Sequence, residues 1–215
     1  MRSEEQISLV ESFKNIKKNC CLNNFLSKIK EEVYKSEIEQ IRSFAKSGDK
    51  ESANKLKRNL PAYTISGTFK DSRKAENLSK YSQYIVLDID DLSQAELERI
   101  VKLTRLAAYT KASFISPSGN GIKIIAKVNT DCDKHNIAYN QLREYYEKAL
   151  EIEIDTSGKD VSRLCFISSD KDIYINENEE IFKVNIEDDP LKRSKNNSET
   201  KSFNYKTLPS QELLD

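Results

Sequence analysis

The sequence predicts a mixed α+β fold, and three observations carry that expectation. Segments with helical apolar spacing lie between segments of strand character. The run Tyr84 to Asp90 (YIVLDID) is apolar without interruption, the mark of a strand covered on both faces of its sheet. The segments Ala107 to Ser116 and Ile122 to Val128 flank Pro117-Ser118-Gly119-Asn120-Gly121, a turn that pairs them as a hairpin.

The elements follow in order. Gln6 to Phe13 (QISLVESF) reads as a short strand. Three helices are predicted over Cys21 to Lys30, Tyr34 to Lys46 and Lys50 to Arg58, with Ile38, Ile41, Phe44 and Ala45 close to one face of the second. Ser47-Gly48-Asp49 separates the last two helices, and Leu60-Pro61 closes the helical part. Ala62 to Phe69 alternates up to Ser66-Gly67. After the buried strand, Ser93 to Leu106 is a helix, with Ser93 as N-cap and Glu96 at capping-box spacing. The hairpin leads to a helix over Asp133 to Leu150, then strands over Glu151 to Asp155 and Arg163 to Ser168. Weaker strands are expected over Ile173 to Ile175 and Ile181 to Val184. From about Glu187 the chain is polar and reads as a linker or tail. The expected division is one domain over 1–186 and a polar tail over 187–215. Within the domain, a helical part covers about 20–60 and a second part about 60–186.

Composition bounds the function. The 215 residues suit one core of ordinary size. Hydrophobic residues make up 37% and charged residues 33%, which predicts surface helices or a tail. No apolar run approaches the roughly 18 residues that span a bilayer, and MRSEEQISLV lacks the basic start and apolar stretch of a signal peptide. A cytoplasmic protein without membrane contact is expected. Four cysteines without a CxxC pair, and the single His135, argue against structural zinc. Cys165, inside LCFIS, reads as a buried thiol, and Cys20 and Cys21 as helix-start residues. Net charge is +0, but it is unevenly placed. Lys14 to Lys74 holds 15 Lys and Arg against 7 Asp and Glu, whereas Val86 to Pro190 holds 13 against 21. A basic part facing an acidic one suits a polyanion gripped by the first and processed with metal at the second. Two solvated surfaces would look the same.

Three segments bear chemistry. Alternation along the buried strand puts Asp88 and Asp90 on the same side. Two adjacent carboxylates repel, and a divalent cation resolves the conflict. Mg²⁺ in particular binds through one or two carboxylates plus substrate phosphates. An acidic strand end without function is the plain alternative. Asp91 should point away, as a capping or supporting group. In the second segment, Ser118 and Gly119 give a turn whose N–H groups can converge on an anion. Lys123 opens the next strand, where it can meet a phosphate and shares a face with Ile125 and Lys127. A hairpin with surface lysines is the alternative, and the spacing is not that of a P-loop. In the third segment Asp155 ends a predicted strand, and Asp160 and Arg163 follow. Arg163 enters an apolar strand and needs a phosphate or a carboxylate, Asp155 or Asp160, as partner. Ser66-Gly67-Thr68-Phe69 and Arg73 line a nucleotide or template path, or form a turn. His135, beside Asp131 and Asp133, reads as a surface or cap histidine.

Taken together, YIVLDIDDL (Tyr84 to Leu92), ISPSGNGIKI (Ile115 to Ile124) and IEIDTSGKDVSRLCFISSD (Ile152 to Asp170) resemble the archaeo-eukaryotic primase and primase-polymerase superfamily. The closest likeness is to the VirE N-terminal type domain of bacterial mobile-element and phage proteins, to which LPAYTISGTF (Leu60 to Phe69) also looks similar. The resemblance implies a catalytic core with an RRM-like sheet and a helical N-terminal part. It implies Mg²⁺ or Mn²⁺ held by Asp88, Asp90 and Asp155, and nucleotide contacts from Ser118, Gly119, Lys123 and Arg163. Lys123 stands where the superfamily usually has a histidine; the positive charge survives and any imidazole-specific role is lost. The implied activity is nucleotidyl transfer on a single-stranded nucleic-acid template with nucleoside triphosphates, in replication of a bacterial or mobile element, with a helicase-type ATPase as partner or neighbouring domain. A catalytically inactive nucleic-acid-binding module and a metal-dependent nuclease are the alternatives on the same residues.

Overall fold

The structure is a computed structural model that describes residues 5–188. Over these described residues it is an α+β fold of five α-helices and ten strands in three antiparallel sheets. The predicted tail lies, beyond residue 188, outside the described residues.

The chain opens with a hairpin, β1 (Gln6–Glu11) and β2 (Asn15–Cys21). Helices α1 (Leu22–Lys30), α2 (Lys35–Lys46) and α3 (Lys50–Lys57) follow, within a residue or two of their predicted bounds. The segment Ala62 to Phe69 divides at Ser66 into β3 (Ala62–Thr64) and β4 (Gly67–Phe69). After β5 (Leu78–Tyr81) comes the buried strand β6 (Tyr84–Ile89). Helix α4 (Gln94–Leu106) starts at Ser93, whose hydroxyl accepts from the Glu96 N–H while the Glu96 carboxylate accepts from the Ser93 N–H, the reciprocal capping box. The hairpin β7 (Thr110–Ile115) and β8 (Ile122–Lys127), helix α5 (His135–Leu150), β9 (Leu164–Phe166) and β10 (Tyr174–Ile175) complete the fold.

One sheet runs β2-β1-β3-β9, a second β10-β7-β8-β6, and β4 pairs with β5. In the second sheet β8 lies between β6 and β7 and is antiparallel to both, so β6-α4-β7-β8-α5 forms a split βαβ arrangement. Strand β6 lies between two cores, as its unbroken apolar run predicts. Ile85, Leu87 and Ile89 pack with Leu97, Ile100 and Leu103 of α4 and Tyr139 and Leu142 of α5. Tyr84 and Val86 point the other way. They meet Phe25 and Ile29 of α1, Ile38 and Ile41 of α2, and Tyr63 and Cys165 of the first sheet. Full burial of a side chain such as Leu87 is worth about 1.5–3 kcal/mol, and because both faces are apolar a one-residue slip would be resisted chiefly at Asp88, which it would turn into the opposite core.

Several expectations are corrected. Glu151 to Asp155 is not a strand. Glu151 caps α5 in a left-handed conformation (φ +52°), the Glu147 side chain accepts from the Ile154 N–H, and a 3-10 turn follows over Thr156–Lys159. The I-E-I alternation buries Ile154 without strand pairing among the described residues. Ile181 to Val184 makes only a single bridge, Phe182 to Val128. Cys20 and Cys21 end β2, and of the two only Cys21 starts a helix, as the N-cap of α1. Cys165 is fully buried, and that burial pushes its thiol up to about 11. Among the described residues no helix is long and apolar enough to cross a membrane.

Candidate functional site

The inter-sheet core ends where β6 changes from apolar to acidic. Asp88 follows Tyr84 and Val86 on the same face, so it points into the space between the sheets at the mouth of that core. There a cleft of about 570 Å³ opens. Asp88, Asp90 and Lys123 from the second sheet form its floor. Ser157, Asp160 and Arg163, from the 3-10 turn and the approach to β9, form one wall. Lys57, Arg58 and Arg73 from the basic N-terminal part form another, and Phe13 and Phe166 close an end. Lys57, Arg58 and Arg73 of the basic part thus share one cleft with Asp88, Asp90 and Asp160, and with Lys123 and Arg163.

Asp88 and Lys123 are direct cross-strand partners, and the Lys123 Nζ donates to Asp88 Oδ2 at 2.5 Å. Lys123 is only 4% exposed. Burial works to lower its pKa, but the Asp88 charge with help from Asp90 outweighs that, and the ammonium is held above its ordinary value. Asp88 Oδ1 is different: it is buried and has no hydrogen-bond partner among the described residues. An unpartnered buried carboxylate oxygen is costly. Asp90 lies one strand period further on. Desolvation in the cleft, and then the Asp88 charge, push its carboxyl up, against the pull of Lys123 and Lys57.

Gly121 lets the hairpin turn approach this pair. A Cβ there would lie 2.4 Å from the Ile89 carbonyl oxygen and 3.0 Å from Asp90 Oδ1. The Leu92 N–H donates to the Asn120 carbonyl, and the Asn120 side chain donates to Asp91 Oδ1 at 3.2 Å. Asp91, with φ +56°, therefore braces the turn and does not cap α4.

Not every predicted site residue reaches the cleft. Asp88, Asp90, Lys123 and Arg163 line it, and Arg163 forms no ion pair among the described residues. Asp155 is not among the lining groups. Its carboxylate accepts from the N–H and hydroxyl of Ser157, contacts that hold it below the usual carboxylate range. Asp160 occupies the wall instead. Ser118 and Gly119 also lie away from the cleft; a Cβ on Gly119 (φ +83°) would lie 3.0 Å from the Arg42 side chain of α2. Arg42 in turn donates to the Ser116 and Ser169 carbonyls, so this turn is packed against a helix. Ser66 lies in the turn between β3 and β4 and Gly67 opens β4, whereas Arg73 does reach the cleft.

His135 is buried, not a surface group. Tyr81 covers it, with the hydroxyl 2.8 Å from Nδ1, and burial lowers the imidazole pKa to about 4. The sequence reasoning missed Phe13, Lys57, Arg58 and Phe166 as individual cleft residues. The pair Lys57-Arg58 carried a signal as the end of a basic helix. Phe13 carried none beyond closing an apolar run.

A divalent cation fits this floor in one form. Among the described residues no three His, Cys, Asp or Glu side chains gather closely enough to form a protein cage for a metal. Two carboxylates with one orphaned buried oxygen instead suit an ion that completes its shell with water and substrate phosphates. Asp88 and Asp90 would hold it, and the surrounding lysines and arginines suit the phosphates.

No curated protein and no solved structure matches the chain. A family model described as BT4734-like, N-terminal domain, matches residues 55–175, which include β6, the β7–β8 hairpin, β9 and the acidic floor with both of its carboxylates. That match spans more than half of the 215 residues, and the chain belongs to the BT4734-like N-terminal domain family.

Proposed function

We propose that the cleft is a metal-dependent nucleotidyltransferase site of primase-polymerase type, in which Asp88 and Asp90 share a Mg²⁺ or Mn²⁺ ion with a nucleoside triphosphate. The observation that carries this reading is Asp88 Oδ1, buried and unpartnered beside Asp90, in a cleft rimmed by Lys57, Arg58, Arg73 and Arg163. A bound cation would stabilise negative charge developing on the phosphoryl oxygens. Lys123 fixes the Asp88 carboxylate through Oδ2 and leaves Oδ1 directed to the ligand. Arg163 and the Lys57-Arg58 pair neutralise phosphate charge, Arg163 with a planar fork that matches two phosphate oxygens. The basic residues of α3 and the β4–β5 connection extend toward a single-stranded template.

The test is primer synthesis or extension on single-stranded DNA with Mg²⁺ or Mn²⁺. Incorporation should be abolished when Asp88 and Asp90 are both changed to Asn. Incorporation that survives the double substitution contradicts the assignment.

A second reading is a nucleic-acid-binding module without turnover. The Lys123–Asp88 ion pair favours it, because a lysine already neutralises part of the floor. Salt-dependent DNA binding without incorporation is its signature. Degradation of DNA in the absence of nucleotides would indicate a nuclease on the same carboxylates.

A further inference from the structure

Phe13 occupies an unusual position for a phenylalanine. It is the second of the three residues that join β1 to β2, and the second central residue of the β-turn closed by the Lys14 N–H donating to the Glu11 carbonyl at 3.2 Å. Ser12 and Phe13 have φ +52° and +63°. Such a turn favours Asn-Gly, and a bulky residue in the left-handed region is a conformational outlier. An outlier of this kind persists only where surrounding structure holds it. Arg73 supplies that hold. Its Nε donates to the Phe13 carbonyl and its Nη1 to the Ser162 carbonyl at 3.2 Å, fastening the turn to the cleft wall.

Phe13 belongs to neither hydrophobic core, and it is half-buried on the cleft. Its neighbour is Phe166, edge-on at 5.9 Å between centroids; Phe166 packs on the inter-sheet core and carries the Lys57 ammonium 5.8 Å from its ring centre. The cleft therefore offers two aromatic rings beside its charged groups, with Lys57 over one of them. A volume of about 570 Å³ lies in the range of small-ligand sites, about 300–1,000 Å³.

We propose that Phe13 is the base-stacking residue of this cleft: the nucleobase of one nucleoside triphosphate lies on its ring while the phosphates extend to Lys57, Arg163 and the Asp88/Asp90 floor. This rests on the reading of the floor as a cation–triphosphate site and adds what that reading lacks, a group that distinguishes a nucleotide from bare polyphosphate. Stacking on an aromatic ring tolerates any base, so Phe13 selects for the presence of a base and not its identity.

The test compares two ligands, a nucleoside triphosphate and inorganic tripolyphosphate, each titrated with Mn²⁺ into the full chain. Phe13→Gly removes the ring and suits the left-handed backbone, so the turn is retained. It should weaken nucleoside triphosphate binding about tenfold and leave tripolyphosphate binding unchanged, while Phe13→Tyr restores the wild-type affinity. Equal effects on both ligands, or on neither, overturn the proposal while the cation site stands. A loss confined to a single-stranded oligonucleotide also overturns it, placing Phe13 on a template strand instead. If the wild-type protein binds neither ligand, the reading of the floor fails as well.

Discussion

The Lys123 ammonium and the Asp88 carboxylate meet at 2.5 Å because their residues are direct partners in the β6–β8 ladder, on the face that looks into the cleft. The pair is nearly dry on the lysine side, with side-chain exposures of 5% for Lys123 and 19% for Asp88. Breaking such a pair from one side leaves an uncompensated charge, at a cost of about 3–5 kcal/mol. Asp88→Asn should therefore destabilise the fold by that order, and Lys123→Met should also destabilise it. The double variant Asp88→Asn with Lys123→Met should cost clearly less than the two single losses added together. Urea denaturation of the three variants measures this, and simple additivity would show that the pair is not an energetic unit.

Gly121 is required by the backbone approach beside Asp90. A methyl group there would sit 2.4 Å from the Ile89 carbonyl oxygen, so the turn must move. Gly121→Ala should cost about 1–3 kcal/mol and weaken cation-dependent ligand binding at the same time, because the displaced turn carries Asp90 with it. Thermal unfolding and calorimetry on the same sample check both effects. Unchanged values in both would mean that the turn adapts without disturbing the floor.

His135 links stability to pH. In the unfolded chain its imidazole takes up a proton near its ordinary value of 6.5, whereas in the fold burial delays this to about pH 4. The unfolded state thus binds more protons between those values, and stability falls as pH drops through that window. At about 1.4 kcal/mol per unit, the loss over that window is about 3.5 kcal/mol. His135→Gln should flatten the curve between pH 6.5 and 4 relative to wild type. Parallel curves for the two proteins would place the titration elsewhere.

Asp155 and Asp160 separate by role. The Asp155 carboxylate is engaged with Ser157, so Asp155→Ala should cost about 1 kcal/mol of stability, as a lost cap does, and leave Mn²⁺-dependent triphosphate binding intact. Loss of binding in that variant would return Asp155 to the cation site.

What was legible in the sequence was what packing alone determines. The run Tyr84 to Asp90 predicted a strand covered on both faces, and β6 separates two cores. Period-2 alternation correctly put Lys123 and Ile125 on one face. The capping box at Ser93 appeared with both of its hydrogen bonds. Where sequence and structure part, the deciding contact came from a distant element. Strand β2 (NIKKNCC) is a sheet edge with mostly exposed side chains, so it shows no apolar alternation and was missed. Glu151 to Asp155 does alternate, but it pairs with no strand among the described residues. The chain then turns, and Asp155 swings to Ser157 instead of the floor. His135 stood among acidic residues and looked exposed, but Tyr81, from a short strand with no apolar signature, covers it. Ser118 and Gly119 formed the expected turn; what the sequence could not supply was Arg42 of α2 lying against it.

The central claim is that the two carboxylates of the floor bind a divalent cation together with a phosphate ligand. Asp90 is the better residue to probe, since it can be altered without unpairing Lys123. Calorimetric titration of a nucleoside triphosphate in the presence of Mn²⁺ into wild-type protein and Asp90→Asn tests this directly. The wild type should bind only when Mn²⁺ is present, and Asp90→Asn should bind at least tenfold more weakly, about 1.4 kcal/mol. Binding that is equally strong with a chelator in place of Mn²⁺, or unchanged in Asp90→Asn, would contradict it.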